Sequence, residues 1–523
     1  MVASKAISLL LLATAGLAFI AQFFINFSSD NIGCSCLIFG SFLSIFLYIN
    51  WTNALATHPL STFSIFGFCV TTQLGAILTQ SAAWTAVTAS LRQPLVTFTT
   101  LAFYQIIAIA IHAVYRLFSS PKRSKSRLLR SLLDRAGLYT TPSISQLWLM
   151  AGVGCIALAL HSGDGVLSRV SDAFNFLAWA PFLIPLYLLE DVDNYCSAKQ
   201  AKLFLPLYAI VLAIFGIASN GRAVIFLGVV TIGLLYLLAA MRSQRTLKKA
   251  TLIKLALLLP VVFILSRPLS DVATAMEIAR GSRGRISPIE MIEKTIDLTQ
   301  RPQVLEAYRQ KVNESGVHET YDETYIANPM IARFVETKFH DNALYFAKTL
   351  TTEESRKDVR EVTLKFFWSE LPAPLVDLLG IDVDKSQLKF SMGDYLVYMS
   401  RGQRLGGYRT GSVFAQGQLL FGEMFPLFYG ALCYVLFWLM DLLSIAEENG
   451  RVSISAAALM RIWSFFIYGI TGESLYAIAN SAIRGSLQTL SAYLLTLTMT
   501  EILTRPGKRR THLGLRQRNP PVG

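Results

Sequence analysis

A polar stretch of about 145 residues, at 267–412, lies between two groups of long apolar segments. Each apolar segment approaches the ~20 residues that an α-helix needs to cross a bilayer. We count twelve of them, at 6–27, 34–51, 60–80, 94–116, 146–161, 174–190, 203–218, 222–241, 251–266, 413–440, 453–470 and 485–503. The chain is 53% hydrophobic and only 15% charged, with a mean hydropathy of +0.46, which lies outside the range of ordinary soluble domains. The sequence therefore predicts an all-α, polytopic membrane protein with about twelve transmembrane helices and one large helical loop.

Basic residues predict the orientation of these helices, because short loops rich in lysine and arginine stay in the cytoplasm. Three basic clusters stand at 116–135, 242–254 and 505–518. With twelve spans and a cytoplasmic N-terminus, all three fall inside and the polar stretch falls outside. The chain then has four parts: transmembrane spans 1 to 9 (1–266), a large periplasmic helical loop (267–412), spans 10 to 12 (413–504) and a basic cytoplasmic tail (505–523).

The formal net charge of +13 follows from this topology. The loop at 267–412 carries 20 Lys and Arg against 21 Asp and Glu, whereas the rest of the chain carries 27 against 13. The basic excess is thus a property of the membrane part and not of a surface for polyanions. We predict no nucleic-acid partner.

Cap signals divide the loop into short helices. The sequence SPIE at 287–290 combines a Ser N-cap, a Pro at the first helical position and a Glu three residues after the cap, which is a capping box. The isoleucines behind it form one apolar stripe, which predicts that this helix lies on the membrane or under the rest of the loop. An Asn-Pro pair at 328–329 predicts the start of a second helix, which runs to about Leu350.

Three polar residues of this second helix fall on one face at 100° per residue: Arg333, Glu336 and His340. Apolar side chains such as Val335 and Phe339 fall on the opposite side. An exposed polar face with a routine salt bridge explains the pattern, and from periodicity alone it is the commoner case. The functional alternative is a site that brings together a cation, a carboxylate and an imidazole.

Arginines on the outer face suggest an anionic ligand. A glycine-rich segment at 401–411 contains Arg404 and Arg409, and flexible backbone beside guanidiniums suits an anion. Arginine is also unexpected in short outer loops, so Arg92 and Arg222 invite explanation. With Arg333 they form a predicted phosphate-binding set, because guanidinium binds phosphate bidentately and stays charged. Anchoring to lipid headgroups is the alternative, above all for Arg92.

Motifs for metal or nucleotide chemistry are weak. Acidic Asp-Val-Asp patterns stand at 191–193 and 382–384, but a chance match is expected in a chain of this length. The sequence has no GxxxxGK[ST], HExxH or GxSxG motif. We predict no metal site and no cofactor.

Several segments, in this order, resemble the bacterial oligosaccharide repeat-unit polymerases (Wzy-type). They are His-Pro-Leu at 58–60 ahead of a span that contains Gly67, the turn SNGRA at 219–223, Arg333-Phe334, the segment 367–374 with its LPAP, and the segments TGS at 410–412 and QGQLLFG at 416–422. The resemblance covers most of the chain through loose motifs. The topology and the long late outer loop contribute about as much as any one motif.

The resemblance implies a GT-C-like membrane enzyme that polymerises polyprenyl-pyrophosphate-linked oligosaccharide repeat units into O-antigen or exopolysaccharide. The reaction takes place at the periplasmic face of the bacterial inner membrane, with both termini in the cytoplasm. The implied substrate is an undecaprenyl-pyrophosphate-linked oligosaccharide, and the implied partners are membrane lipids, a flippase and chain-length regulator proteins. Arg222 best matches an arginine thought to bind the pyrophosphate in this family. Gln416 stands where members often have glutamate, which puts a carboxylate role there in doubt.

Glycosyl transfer from a pyrophosphate needs charge stabilisation on the departing phosphate and a base that deprotonates the acceptor hydroxyl. The candidate bases are Glu336, His340, Asp341, Glu423 and Glu473. We predict Glu336, His340 and Glu473 as catalytic residues, with Glu336 or His340 first because Arg333 shares their face. The predicted pyrophosphate-binding residues are Arg222, Arg333, Arg409, Arg404 and Arg92.

Three other functions stay open. An O-antigen-ligase-like enzyme uses the same chemistry but moves a finished glycan to a different acceptor. A polysaccharide transporter or flippase is expected to show internal pseudo-symmetry and broken helices, and the sequence shows no repeat that relates its halves. A structural subunit of an envelope complex would tolerate neutral substitution of its outer arginines.

Overall fold

The computed structural model describes residues 3–119, 128–160, 170–190, 198–242, 268–282, 286–314, 321–326, 328, 331–371, 376, 378–381, 383–384, 387–447 and 451–504. This part of the chain is mostly helical, with one short two-stranded hairpin. Six of its helices are long and apolar enough to cross a membrane: Lys5–Ile25, Ser29–Thr52, Pro59–Ala82, Pro94–Phe118, Val224–Arg242 and Val413–Asp441. The fold is therefore that of an α-helical membrane protein.

Ahead of the loop, the described chain forms a series of α-helices with a π-helical turn and a 3₁₀ helix among them. They are α1 (Ala3–Ile25), α2 (Ser29–Thr52), α3 (Ala54–Thr57), α4 (Pro59–Cys69), a π-helical turn (Val70–Leu74), α5 (Gly75–Ala82), α6 (Pro94–Phe118), α7 (Leu128–Arg135), α8 (Ile144–Leu160), a 3₁₀ helix (Asn175–Leu183), α9 (Ile184–Glu190), α10 (Ala198–Ala218) and α11 (Arg222–Arg242). Proline stands at the first position of α4 and α6, where its missing N–H costs no hydrogen bond. The predicted tight turn before α11 is present, with Asn220 in the left-handed region at φ 51°.

The loop contains α12 (Pro288–Thr299), α13 (Pro302–Glu314), a 3₁₀ turn (Ile331–Phe334), α14 (Thr337–Thr349), α15 (Glu353–Ser369) and α16 (Met392–Arg401). The predicted capping box of α12 is confirmed, because Ser287 Oγ accepts from the Glu290 N–H at 3.3 Å and Glu290 Oε2 accepts from the Ser287 N–H at 2.8 Å. Ile289 and Ile296 of α12 are exposed, as expected of a helix whose apolar stripe faces a membrane.

The chain after the loop contains α17 (Val413–Phe421), a 3₁₀ turn (Gly422–Met424), α18 (Phe425–Asp441), β1 (Ser444–Ala446), β2 (Val452–Ile454), α19 (Ala456–Met460), α20 (Ile462–Tyr468), α21 (Leu475–Asn480), a π-helical turn (Ser481–Gly485) and α22 (Ser486–Thr504). The strands pair antiparallel with Ile445 opposite Ser453. This hairpin is an addition to the all-α prediction.

Several of the predicted spans are not single regular helices. The segment 174–190 begins as a 3₁₀ helix with Pro181 inside it and continues as α9. The segment 453–470 starts in β2 and then forms two short helices that meet at Arg461. The predicted span at 251–266 lies outside the described residues, and so does the basic tail.

The prediction of one continuous helix from 328 to about 350 is wrong. A 3₁₀ turn ends at Phe334, and α14 starts only at Thr337, with Glu336 as its N-cap residue. The chain breaks here because the Glu336 N–H donates to the Thr71 carbonyl, 2.8 Å away in the π-helical turn, and not to a neighbour in its own helix. Arg333 therefore does not share a helix face with Glu336 and His340. The interpretation of these residues as an exposed polar face is also wrong, because Glu336 and His340 are both buried.

Small residues let α4 and α20 pack in close contact. A Cβ on Gly67 would clash with the Phe466 carbonyl oxygen, and a Cβ on Gly469 would clash with the Ser64 hydroxyl. Close backbone approach through small residues stabilises helix pairs in membranes, where van der Waals packing supplies much of the attraction. This contact fixes α20, and with it Tyr468, against the first helices.

A buried aromatic group joins the helices before and after the loop. The Phe414 ring lies 5.5 Å from the Phe68 ring and 4.9 Å from the Tyr104 ring, and the Tyr429 ring lies 5.4 Å from it on another side. These residues come from α4, α6, α17 and α18. They belong to the large buried core of the membrane part.

Replacing Gly67 by Ala tests the close contact. We expect Gly67→Ala to lower the free energy of unfolding by about 1–3 kcal/mol, because the added methyl group forces α4 and α20 apart. Thermal unfolding of the purified protein in a neutral detergent measures this change. Gly40→Ala in α2 is the matched control, since a Cβ there meets no atom within 4 Å. Equal melting temperatures for the two variants would contradict the contact.

Candidate functional site

The π-helical turn after α4 receives the N-terminus of α14. In a regular α-helix the Gly75 N–H would donate to the Thr71 carbonyl, but here it donates to the Val70 carbonyl, one residue earlier. The Thr71 carbonyl is left for the Glu336 N–H at 2.8 Å, and the Thr72 carbonyl accepts from the Thr337 hydroxyl at 2.7 Å. The irregular turn thus places Glu336 against an apolar helix of the membrane part.

Asp341 anchors the other side of α14. Its carboxylate is fully buried and accepts from the Arg92 N–H at 2.8 Å, the Gln93 N–H at 3.0 Å and the Thr97 hydroxyl at 3.0 Å. The buried Lys338 ammonium lies 3.8 Å from the same carboxylate. A carboxylate at this position stabilises the positive N-terminal end of α6. Asp341, one of the candidate bases, therefore has donors on both oxygens and holds the two elements together.

Glu336 is a buried carboxyl without a fixed partner. The residue is only 6% exposed, and among the described residues its carboxylate makes no hydrogen bond or ion pair. Burial raises the pKa of this carboxyl to about 8, because a charge is costly where water is excluded. A base with a pKa near neutrality can accept a proton and release it again under physiological conditions.

His340 lies one turn after Glu336, but unlike Glu336 it has a hydrogen-bond partner. Its Nδ1 is 2.8 Å from Ser412 Oγ, and that oxygen also accepts from the N–H groups of Phe414 and Ala415. The Ser412 hydroxyl proton is then free to point at Nδ1, which places the imidazole proton on Nε2. Burial lowers the pKa of His340 to about 3, so the ring is neutral. Its Nε2 has no hydrogen-bond partner among the described residues.

Tyr468 lies within electrostatic range of several predicted site residues. Tyr468 ends α20, is 47% exposed, and its hydroxyl lies within electrostatic range of Glu336, Arg333 and Glu473. Burial raises the pKa of the Glu473 carboxyl, and the negative charge of Asp394 raises it further. Three of the predicted site residues are thus within electrostatic range of one tyrosine. Arg333 also lies 3.6 Å from Glu323.

The end of the glycine-rich segment at 401–411 binds a carboxylate of the protein. The buried Asp394 carboxylate accepts from the Tyr408 N–H at 2.7 Å and from the Arg409 N–H at 3.2 Å. It also lies 3.3 Å from the Arg409 guanidinium, which donates to the Arg404 carbonyl as well. Tyr408 and Arg409 are thus held by an internal carboxylate.

The other predicted phosphate-binding arginines belong to different parts of the chain. Arg92 is docked on α14, where its Nε donates to Asn342 Oδ1 at 3.0 Å and its guanidinium stacks 4.8 Å from the Tyr345 ring. Arg404 is exposed. Arg222 begins α11, and its side chain lies outside the described part of the chain.

Gln416 holds two elements together. Its Nε2 donates to Thr363 Oγ1 at 2.8 Å, and its Oε1 accepts from the Leu475 N–H at 2.7 Å. The side chain is fully buried. In this chain the position joins α15 to the start of α21.

Sequence reasoning missed Tyr468, Ser412 and Lys338. Tyr468 was counted inside a span, and Ser412 was read as part of a motif without a role. The spacing of Lys338 and Asp341, three residues apart on a helix, was a visible signal of an ion pair. Its burial was not visible, because it depends on packing against distant helices.

Comparison of the chain with protein-family models, with curated proteins and with solved structures finds no match. The interpretation of the site therefore depends on its geometry and on the motifs of the sequence.

The raised pKa of Glu336 has a consequence for stability. Between pH 4.5, the ordinary pKa, and about 8, the unfolded chain releases this proton while the folded protein keeps it. The folded state therefore loses stability as pH rises through this window, by roughly 1 kcal/mol per pH unit. We expect Glu336→Gln to remove this slope. Unfolding at pH 5, 6.5 and 8 in neutral detergent measures the difference between wild type and variant.

Glu353→Gln is the control for this measurement, because that carboxylate is 76% exposed. It should keep the pH slope of the wild type. The same slope in Glu336→Gln and wild type would show that Glu336 is ionised in the folded protein at neutral pH.

Proposed function

We propose that this protein is a membrane glycosyltransferase that polymerises polyprenyl-pyrophosphate-linked oligosaccharide repeat units into O-antigen or exopolysaccharide. The observation that carries the proposal is Glu336, a buried carboxyl with a pKa of about 8 and no fixed partner among the described residues. It stands where the loop contacts the apolar helices. A lipid-linked sugar would present its reacting carbon at such a boundary.

The proposed reaction uses Glu336 as the general base. The acceptor hydroxyl attacks the anomeric carbon of the donor, a new glycosidic C–O bond forms, and the bond from that carbon to the phosphate oxygen breaks. Glu336 takes the hydroxyl proton, and polyprenyl pyrophosphate leaves with the bonding electron pair. A carboxylate that is poorly solvated is a stronger base than one in water, which favours this step.

The second requirement is stabilisation of the negative charge on the departing pyrophosphate. We assign this role to arginines. Arg333 lies near Tyr468 together with Glu336 and Glu473, and Arg222 is the position that best matches the family. The neutral His340 supplies a hydrogen-bond donor from Nε2, not a base, because its pKa is about 3. Donors that are held in place before the reaction stabilise developing charge without reorganisation.

The proposal includes a topology. Twelve spans in a GT-C-like arrangement, with both termini in the cytoplasm of a bacterium, place the loop and α14 at the periplasmic face of the inner membrane. The six long apolar helices and the exposed isoleucines of α12 support a loop that lies on a bilayer. Reporter fusions at Lys125 and Asp358 test this arrangement, and a cytoplasmic signal at Asp358 would overturn it.

Replacing Glu336 by Gln tests the base directly. We expect Glu336→Gln to lower the rate of polymer formation by about 10² to 10⁴-fold, since the amide cannot accept the proton. The rate of the wild type should rise with pH up to about 8, where the carboxyl ionises. The measurement is chain length and amount after addition of lipid-linked repeat units to purified protein. Glu353→Gln should keep the wild-type rate, and an active Glu336→Gln variant would refute the assignment.

Deletion of the gene separates this function from its alternatives. Loss of long chains with single repeat units retained supports a polymerase. Polymer that forms but is never attached to its final acceptor indicates a ligase, and absence of any outer-face glycan indicates a flippase. Either of the last two results would contradict the proposal.

A further inference from the structure

Four polar side chains near the start of α4 form a continuous line of hydrogen bonds. Tyr48 OH lies 2.8 Å from His112 Nδ1, and His112 Nε2 lies 2.9 Å from Ser61 Oγ. The same serine oxygen lies 2.8 Å from Asp441 Oδ2. These four residues, which we call the relay, join α2, α6, α4 and α18. Ser61 is nine residues ahead of the π-helical turn, so the relay lies about 13 Å along α4 from the candidate site.

The donors of the relay point in one direction. An ionised carboxylate can only accept, so the Ser61 hydroxyl donates to Asp441. Ser61 Oγ then accepts from the Nε2–H of His112, and His112 Nδ1 accepts from the Tyr48 hydroxyl. Arg116 Nη1 donates to the Tyr48 oxygen at 3.5 Å. The relay thus runs from a guanidinium at one end to a carboxylate at the other, with every group satisfied.

Asp441 is a buried carboxylate that forms no ion pair among the described residues. It accepts from the Ser61 hydroxyl, and the Tyr115 hydroxyl lies within hydrogen-bonding range of it. Arg130 is close, but its Nη2 donates to the main-chain carbonyl of Asp441, at 2.9 Å. A buried charge that is held by neutral donors is costly, and uptake of a proton removes this cost.

The ionisable groups around the relay come from several elements. His58 lies outside the relay, because its Nε2 donates to the Ser119 carbonyl at 2.6 Å. Arg116 is also held by the Thr52 carbonyl at 2.9 Å. The charged or titratable side chains that face His112 or Asp441 are Tyr48 from α2, His58 from the turn before α4, Tyr115 and Arg116 from α6, and Arg130 from α7.

We infer that the relay is a proton-binding site, in which a proton that arrives at Tyr48 is delivered to Asp441. Tyr48 is half-buried, whereas the other three side chains are buried, so water reaches the relay at the tyrosine. Buried lines of Asp and His that cross between membrane helices are typical of proton relays.

The transfer conserves protons at each step. The incoming proton binds the Tyr48 oxygen as the tyrosine's own proton moves to His112 Nδ1. The proton on His112 Nε2 moves to Ser61 Oγ, and the serine's proton moves to Asp441. The first three groups each lose one proton and gain one, and the carboxylate ends as a neutral acid.

Proton uptake reverses every hydrogen bond of the relay. Asp441 now donates to Ser61, and His112 is in its other neutral tautomer, with the proton on Nδ1 pointing at the Tyr48 oxygen. The Tyr48 hydroxyl then needs a different acceptor, so the contact between α2 and α6 depends on the proton. The proposed topology places this contact at the cytoplasmic face, where the protein would respond to cytoplasmic pH. This property goes beyond glycosyl transfer and does not depend on it.

Infrared difference spectroscopy of the full-length protein in neutral detergent, between about pH 8 and about pH 5, tests the site. All samples carry Glu336→Gln, so that this other buried carboxyl does not contribute. We expect the band of a protonated, buried carboxyl to appear at the lower pH and to be lost in Asp441→Asn, because an amide takes up no proton. Asp297→Asn is the control and should keep the band, since this carboxylate is 52% exposed and pairs with Arg301.

The same band in Asp441→Asn and in the parent protein would overturn the inference, and the hydrogen bonds of the relay would then be structural only.

Nitrogen NMR of the histidine-labelled protein tests the direction of the relay. The His112 signal is identified by its absence in His112→Gln. We expect the proton on Nε2 at the higher pH and on Nδ1 at the lower pH, with a neutral ring at both. A ring that carries protons on both nitrogens at the lower pH would place the incoming proton on His112, against the assignment to Asp441.

Ser61→Ala covers the case in which Asp441→Asn does not fold. It removes the oxygen that connects His112 with Asp441 and keeps both of these groups, so the His112 tautomer should no longer change with pH. Ser64→Ala, in the next turn of α4, is the matched control, because its buried hydroxyl has no hydrogen-bond partner among the described residues. It should keep the change. A tautomer that still changes in a folded Ser61→Ala variant excludes the relay.

The proton site and the glycosyl transfer are tested separately. Both spectroscopic measurements are made without substrate, so a failure of the relay leaves the proposed function standing. An active Glu336→Gln variant would refute the proposed base and leave the relay unaffected.

Discussion

A backbone carbonyl buried among apolar helices needs a hydrogen-bond donor, and the arrangement around Glu336 depends on this requirement. The π-helical turn at Val70–Leu74 withdraws the Gly75 N–H from the Thr71 carbonyl. The loop supplies the missing donors at its residues 336 and 337. Because these bonds join residues more than 260 positions apart, they set the depth at which α14 lies. The same turn that weakens the helix therefore positions the site.

Burial of α14 explains two opposite properties of neighbouring residues. Exclusion of water disfavours the charged form of any group, so it raises the pKa of the Glu336 carboxyl and lowers that of the His340 imidazole. Both groups are consequently neutral at pH 7. Asp341, on the same helix, faces three donors and the Lys338 ammonium. Asp341 thus has donors that stabilise its negative charge, whereas Glu336 and His340 are neutral. The partners of each group decide whether it is charged.

Local signals in the sequence identified local structure correctly. The capping box at 287–290, the turn before Arg222 and the long apolar helices all follow from residues close together in the chain. The break at Glu336 could not be foreseen, because its cause is a carbonyl in a distant helix. The same holds for the glycine-rich segment, whose N–H groups bind Asp394. Composition suggested an anionic ligand there, and it could not show that two of these N–H groups bind a carboxylate of the protein.

Three arginines in or near the loop already lie beside a carboxylate of the protein. Arg409 faces Asp394 at 3.3 Å, Arg484 faces Glu370 at 2.6 Å, and Arg333 lies 3.6 Å from Glu323. A cation that is already paired offers an incoming pyrophosphate less attraction, since the existing partner must be displaced or tolerated. Arg461 has no such carboxylate among the described residues, and its guanidinium donates to Thr489 Oγ1 in the membrane part, where a charge interacts more strongly than in water. A buried cation without a carboxylate partner therefore attracts an anion more strongly than the paired arginines of the loop.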